Sequence, residues 1–461
     1  MRLRARTTVR GDVLVGGSPM RAVRIGQSAL SRISGGVLTV TDRVSDRVAG
    51  YLLDANLADP LVDPADPNDT DGEASEMTVV IPVRDRPQQL ERCLASLGNL
   101  SVVVVDDASI DSASIRRVTD AHGARYLRLP VNQGPAGARN AGLQHVRTTF
   151  VAFVDSDVTA EASMLVQLMA HFRDARLALV GPLVRGRFTA ALSGRDSRWF
   201  EKYDEAASSL ALGNRPSSVR PGAAVGWLPS ACLVGRTLAL RQLPLPGFDA
   251  SMRVGEDVDL VWRLLDAGWR VRYDPSHGAD HDTRSSLAGW LGRKLIYGSG
   301  GAALAARHGR HGAPAVLSVV SATSAAAVLI RRRWSAPALV AGVGYTWWRL
   351  NRRLPSMEGR VTRSMCLSVE GTAWAVRQES ALLLRHWWPL TVVLFPFVPA
   401  VRRAVASALI VDAVAARLEM PTAPYLLVGR RLDDLAYGAG LWLGALRARS
   451  IECLLPRRPR S

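Results

Sequence analysis

Residues 149–158 read TFVAFVDSDV, a nearly continuous apolar run that ends in Asp155 and Asp157. Desolvation and mutual repulsion both oppose carrying two like charges to the end of a buried strand. If extended geometry persists, the i, i+2 spacing puts both carboxylates on one side of the sheet edge. Such a pair is stable only when protons or a cation neutralise it. A Mg²⁺ or Mn²⁺ ion does so with hard oxygen ligands and keeps positions open for a substrate diphosphate. The same DSD can instead cap the helix that follows, AEASMLVQLMAHF (160–172), and taken alone it reads as such a cap more often than as a cation site.

Working outward, MTVVIPV (77–83) and SVVVVDD (101–107) are equally apolar, and ARYLRLP (124–130) follows. PQQLERCLASL (87–97) carries Leu90, Cys93, Leu94 and Leu97 on one helical face. Continuous apolar strands alternating with helices predict an α/β class with a parallel sheet covered on both faces, binding ligands beyond the carboxyl ends of its strands. The second strand also ends in paired acids, Asp106 and Asp107, which by themselves suit a turn. NQGPAGARNAGL (132–143) has Gly134, Pro135 and Gly137 for close backbone approach and a helix start. Its Arg139 is either a cation for phosphate or carboxylate or a helix-surface arginine. In GEDVDLVWRLLDAGWRV (255–271), Glu256 and Asp257 open a helix whose Val258, Val261, Leu264 and Leu265 face the core. The two acids either complement the positive helix end or include a general base that takes a proton from a sugar hydroxyl. His281 is a candidate imidazole ligand for the same cation, with His277 as its competitor, although a lone histidine is more often structural.

The chain of 461 residues exceeds what one hydrophobic core supports, and 48% apolar content excludes disorder. Cys93, Cys232, Cys366 and Cys453 are too far apart for a zinc spacing or a disulfide framework, and MRLRARTTVRGD has no apolar segment behind its charged start. Both features predict reduced thiols and a catalytic part on the cytoplasmic side. Four segments are expected: a small α+β module (1–58), an acidic, Pro-rich linker (59–76), the α/β domain (77–300) and a basic, apolar, mainly helical region (301–461). From residue 301 onward, 22 arginines, no lysine and eight acids give +14 of the chain's +17, leaving +3 for the first 300 residues. There APAVLSVVSATSAAAVLI (313–330), WSAPALVAGVGYTWW (334–348) and HWWPLTVVLFPFVPAV (386–401) set tryptophans beside arginines. Only the first approaches the roughly 20 residues of a membrane span. The pattern suits helices lying in the headgroup region at the cytoplasmic face of the cell membrane, or a buried helical hairpin.

VVIPVRDR, VVVVDDAS, NQGPAGARNAGL, VAFVDSDV and GFDASMRVGEDVDLVWRL, in that order over residues 77–290, resemble family 2 glycosyltransferases with the Rossmann-like GT-A fold. The resemblance implies inverting transfer of a hexose from a nucleotide sugar, usually UDP-linked. It implies Pro82 and Arg84 lining the nucleotide pocket, with Asp106 beside Asp107, which meets the base. Arg139 and Asn140 border that pocket and Asp155 meets the ribose. Asp157 and His281, with Asp155 adjacent, would hold Mn²⁺ or Mg²⁺, and Asp257, beside Glu256, would be the catalytic base. The QxxRW signature of processive cellulose-type synthases is absent, which counts against long-chain polymerisation. The whole chain, including GGSPMRAVRI, PSACLVGRTLALRQLPLPGFD and the basic tail, further resembles the mycofactocin biosynthesis glycosyltransferases of actinobacteria. That implies UDP-glucose as donor, a peptide-derived redox cofactor precursor, premycofactocin, as acceptor, and a short β-linked glucose chain as product. The N-terminal module resembles the small peptide-recognition domain of ribosomal-peptide maturation systems, so residues 12–58 would bind a peptide or a maturation enzyme, or else be a packing extension.

Three other classes compete: an enzyme acting on a lipid or cell-envelope glycan, an inactive membrane scaffold, and a nucleic-acid-binding protein driven by the basic tail. Asp155, Asp157 and Asp257 together disfavour the scaffold. The tail interleaves its arginines with long apolar runs rather than Gly, Ser or Lys, which suits lipid better than a phosphate backbone, so no nucleic-acid partner is expected.

Overall fold

The fully apolar runs form the strands expected of them. In the computed structural model, which describes residues 1–62, 74–188, 196–419 and 425–459, the central sheet comprises β1 (Met77–Val83), β2 (Ser101–Asp106), β3 (Arg125–Arg128), β4 (Phe150–Val154), β5 (Val158–Thr159), β6 (Leu177–Arg187), β7 (Ser217–Ser218), β8 (Cys232–Arg236) and β9 (Arg270–Asp282). One half is parallel as predicted, in the order β3-β2-β1-β4. The other half is mixed: β8 lies antiparallel between β4 and β6, β9 runs parallel to β6, and β5 and β7 pair antiparallel with β9. The wholly parallel sheet is therefore corrected to a mixed one. Pairing of β1 with β4 stops at Val80↔Phe153, so Pro82 sits beyond the ladder, where its missing N–H removes no strand bond. Helices α1 (Pro87–Ser96), α2 (Gly134–His145) and α3 (Glu256–Asp266) carry the neighbouring motifs. Leu90, Leu94 and Leu97 join Val79, Ile81, Val104 and Val154 in the main core.

Two compact units are present, Met1–Thr283 and Arg284–Ser461. The first contains the N-terminal module together with the central sheet. Most of the 59–76 linker lies outside the described residues. In the module, the helix Arg43–Asp54 is capped by Asp42, whose carboxylate accepts from the N–H groups of Val44 and Ser45. It buries Ser45, Ala49, Leu52 and Leu53, and Val44 is exposed. Asn56 joins module to sheet: its amide donates to Ser218 O (2.9 Å) and accepts from Ser218 N (2.7 Å).

The second unit begins at Arg284, so helix α4 (Leu287–Ser299), placed by its sequence at the end of the α/β domain, belongs to the helical unit instead. The reason is local. Trp290 is fully buried, Lys294 Nζ pairs with Asp433 at 2.9 Å, and α4 packs so closely on α9 (Tyr425–Ala448) that a Cβ at Gly298 would stand 2.0 Å from Tyr437 O. Four further helices are α5 (Val319–Ile330), α6 (Ser335–Arg353), α7 (Arg360–Ala381) and α8 (Pro399–Glu419). Their small core includes Ala325, Leu329, Ala375, Leu382 and Ala408. The 313–330 run becomes helical only at Val319, where Ser318 caps it. No helix among the described residues is long and apolar enough to cross a membrane.

Candidate active site

The strand β4 stops at Val154, and a turn follows at once. Extended geometry therefore does not carry through Asp155 and Asp157, and their carboxylates pair with different cations. Asp155 Oδ1 accepts from Arg139 Nη2 at 2.5 Å, whereas Asp157 Oδ2 pairs with Arg86. The second oxygen of Asp157, Oδ1, lies 3.6 Å from His281 Nε2. Sheet register makes this approach: β5 and β9 set Val158 opposite His281, and Asp282 N donates to Asp157 O at 3.0 Å. His277, the competitor, is instead 4.0 Å from Asp274. Among the described residues, no three His, Cys, Asp or Glu side chains stand together as a metal cage.

Arg139 is the centre of the site. It is 2% exposed, and besides Asp155 it reaches Glu256 Oε1 with Nη1 at 3.1 Å, its guanidinium lying over the Phe248 ring at 5.3 Å. Burial works against its charge, but Asp155 and Glu256 more than offset that and raise its pKa. The surface-arginine alternative is thereby excluded. A planar fork bridging two carboxylates is a task that lysine's point charge cannot copy.

Beside this bridge, Asp257 opens α3, with Oδ1 accepting from its neighbour Val258 N (2.8 Å) and Oδ2 from Ser230 N (3.3 Å). Burial first, and the Glu256 charge second, push its pKa up to about 7. Arg139 is committed to Glu256 and Asp155, so among the described residues Asp257 is the acid of this cluster left without a cation in bonding distance. A carboxylate poised near neutrality, held by two N–H groups, can take a proton at physiological pH.

Several of the remaining expected residues also tie elements together. Asp106 is fully buried and accepts from Ser109 N (2.8 Å), Tyr126 Oη (2.6 Å) and Arg128 Nη1 (3.2 Å), tying β2 to β3. Asp107 takes the N–H groups of Gln133 (2.7 Å) and Gly134 (2.9 Å), one on each oxygen, at the start of α2. Its negative charge faces the positive end of that helix. Asn140 hooks a loop: its amide donates to Phe248 O (2.7 Å) and accepts from Phe248 N (2.8 Å). Arg84 is half-exposed and 3.6 Å from Asp85, and Pro82 is part-buried at the carboxyl end of β1.

Sequence reasoning missed three contributors. Arg86, two positions beyond Arg84, is the arginine that reaches the Asp157 carboxylate. Arg263, on α3, pairs with fully buried Asp259 (2.7 Å) and donates to Leu245 O and Gly247 O (2.7 Å each), holding the loop that Asn140 hooks. An acid and an arginine four apart on one helix was the available signal. Ser230 contributes only a backbone N–H, which leaves no trace in side-chain pattern.

Residues 78–223 match the family model described as glycosyl transferase family 2. Across 98% of this chain and 96% of the relative, the sequence is 38% identical to the pre-mycofactocin glycosyltransferase of Mycobacterium tuberculosis. The succinoglycan biosynthesis protein ExoO of Rhizobium meliloti is 32% identical over 41% of this chain and 54% of its own. Among solved structures, a mannosyltransferase of Pyrobaculum calidifontis, in complex with GDP-mannose and Mn²⁺, aligns with a TM-score of 0.43 at 15% identity, covering 86% of this chain and 94% of its own. A mixed sheet with paired acids at its strand ends, followed by a helical C-terminal region, is thus a GT-A-like glycosyltransferase architecture. On the strength of near full-length identity, the chain belongs to the family of the pre-mycofactocin glycosyltransferases, within glycosyltransferase family 2.

Proposed function

We propose that this enzyme transfers a hexose, glucose from UDP-glucose, with inversion onto the peptide-derived precursor premycofactocin, and builds a short β-linked chain on it. The observation that carries the reading is the pairing of roles at α3, where Glu256 neutralises Arg139 while Asp257 stays near neutrality beside it. Asp257 accepts the proton of the acceptor hydroxyl as that oxygen bonds to the anomeric carbon. The Arg139 bridge keeps Glu256 from repelling the developing charge, and Ser230 N–H and Val258 N–H hold the carboxylate in line. Asp155, in contact with Arg139, faces the donor's ribose.

Asp157 and His281 would hold a Mn²⁺ or Mg²⁺ ion: one carboxylate and one imidazole lie 3.6 Å apart, and two protein ligands would leave the ion open to oxygens of the donor. When bound, such an ion supplies positive charge against the departing diphosphate. Arg86 occupies the other oxygen of Asp157 and offers a second cation on the same side.

A lipid or cell-envelope glycan acceptor is the second reading, supported by the apolar side chains exposed along Leu390–Phe397. That same surface, beside the tail's arginines, supports peripheral residence on the cytoplasmic face of the membrane. Mass spectrometry of purified enzyme with Mn²⁺, UDP- and GDP-sugars and both acceptor types decides between them. A hexose increment on the peptide-derived acceptor is expected, and one only on lipid would select the alternative. Asp257→Asn should bind UDP-glucose as wild type does and lose transfer; unchanged turnover would remove Asp257 from the role of base.

A further inference from the structure

Within the first unit, the seam between the N-terminal module and the sheet encloses a pocket of about 240 Å³. Its walls include Asp54 from the module helix, and Arg176, Ser218, Arg220, Trp269 and Arg270 from the α/β part. Arg270 opens β9, the strand that reaches His281 eleven positions later, so the pocket lies on the order of 30 Å from the candidate active site at the strand rise.

The charges around it do not balance. Arg270 takes Asp54 (3.0 Å) and, on its other arm, Asp174 (2.8 Å). The Arg176 side chain donates to a carbonyl, that of Gly268 (3.2 Å), while its backbone N–H donates to Asp174 Oδ1 (3.0 Å). Arg220 is left with Asp54 at 3.6 Å, beyond hydrogen-bond reach, and its buried Nε has no partner among the described residues. Behind Ser218, Arg272 is 5% exposed and likewise has a buried Nη1 without a partner, while its Nη2 donates to Ser218 Oγ (3.2 Å). Burial, with Arg21 and Arg270 nearby, depresses the Arg220 pKa despite Asp54. A protein whose interest here was merely to hold its module would gain by pairing these forks, because an unsatisfied buried donor is costly. Guanidinium forks facing a polar space, with an indole on the rim, have the geometry that binds planar or tetrahedral oxyanions in bidentate fashion.

We propose that this seam pocket binds an oxyanion, a carboxylate or phosphate group of a small ligand, bridging the N-terminal module and the catalytic sheet at a site separate from the transfer chemistry. Arg220 is the central donor, Arg176 the outer arm, and Arg270 the anchor that holds Asp54 aside.

Thermal unfolding of the full chain tests it, in chloride buffer at constant ionic strength with about 10 mM inorganic phosphate or succinate. For a Kd on the order of 1 mM, wild type should gain about 2–5 °C with at least one of them. The anion giving the larger gain assigns phosphate or carboxylate. Arg220→Met should lose that gain while its Tm without anion stays level or rises, because removing an underpaired buried charge relieves the fold. No gain in wild type with either anion, or equal gains in wild type and Arg220→Met, would overturn the site. Should Arg220→Met unfold on its own, Arg176→Gln decides on an exposed side chain: a reduced gain supports the pocket and an undiminished one refutes it.

Discussion

At the scale of single residues, the site works by dividing one crowded set of acids among unequal partners. Arg139 serves Asp155 and Glu256, Arg86 serves Asp157, and Asp257 is left with two N–H groups. A base of this kind acts only when deprotonated, so kcat/KM should climb through about pH 7 and level off above it. A profile flat between pH 6 and 8 would deny the assignment. The linkage to stability has the opposite sense. A raised folded-state pKa means the folded protein holds the proton more tightly, so stability falls as pH rises from the ordinary aspartate range through about 7. Asp257→Asn should therefore gain more in Tm over wild type at pH 8 than at pH 4. The proposed metal pair, Asp157 and His281, supplies a separate readout: His281→Ala should weaken Mn²⁺-dependent binding of UDP-glucose, the proposed donor, about tenfold or more, since losing a ligand or its support typically costs 10–100-fold in affinity. Equal donor affinity for this variant and wild type, each with and without EDTA, would remove His281 and Asp157 from metal binding.

At the scale of elements, what was legible depended on whether the cause lay in the element itself. β1, β2 and β4 were readable because each is an unbroken apolar run, and α1 because its leucines recur on one face. The antiparallel insertion of β8 between β4 and β6 was not, since nothing in CLVGR distinguishes a parallel neighbour from an antiparallel one. Asp157 and His281 were named together from sequence, and the β5–β9 register brings them close. The extended geometry on which a common side for Asp155 and Asp157 depended does not persist, because the chain turns directly after Val154. Arg84 was preferred to Arg86 for want of any local signal about where β1 ends and its loop bends. Asn140 belongs to this scale too. Its paired bonds to Phe248 and the Arg263 bonds to Leu245 and Gly247 fasten the loop before α3. Asn140→Ala leaves the Phe248 N–H and C=O without that partner and should cost about 1–3 kcal/mol of stability. Since the loop leads into Asp257, kcat should fall more than donor affinity; an undisturbed kcat with unchanged Tm would show the hook to be idle.

At the scale of the whole molecule, the chain assigns chemistry and surface to different units. The acids proposed for catalysis all lie before Thr283, while the run Leu390, Val392, Val393, Leu394, Phe395 and Phe397, with Phe397 79% exposed, lies after it. Full-length protein is expected to sediment with anionic phospholipid vesicles at low salt. Phe397→Asp should weaken that binding about tenfold or more, given roughly 1.5–3 kcal/mol for burying one such side chain. Complete recovery of wild type in the supernatant would count against a membrane surface. The seam between module and sheet was beyond sequence reasoning altogether, because Asp54, Arg220 and Arg270 meet only after the chain has folded back across more than 160 residues. The buried Lys294–Asp433 pair has a practical corollary. This chain contains just two lysines, and the other, Lys202, is exposed on the helix Trp199–Ala206 of the catalytic unit. Amine-directed reagents should therefore modify the native protein at Lys202 and its N-terminus and reach Lys294 only after denaturation, as peptide mapping by mass spectrometry can check. A dye, a surface linker or a crosslinker would then attach to the first unit and leave the second unmarked, without any engineered cysteine.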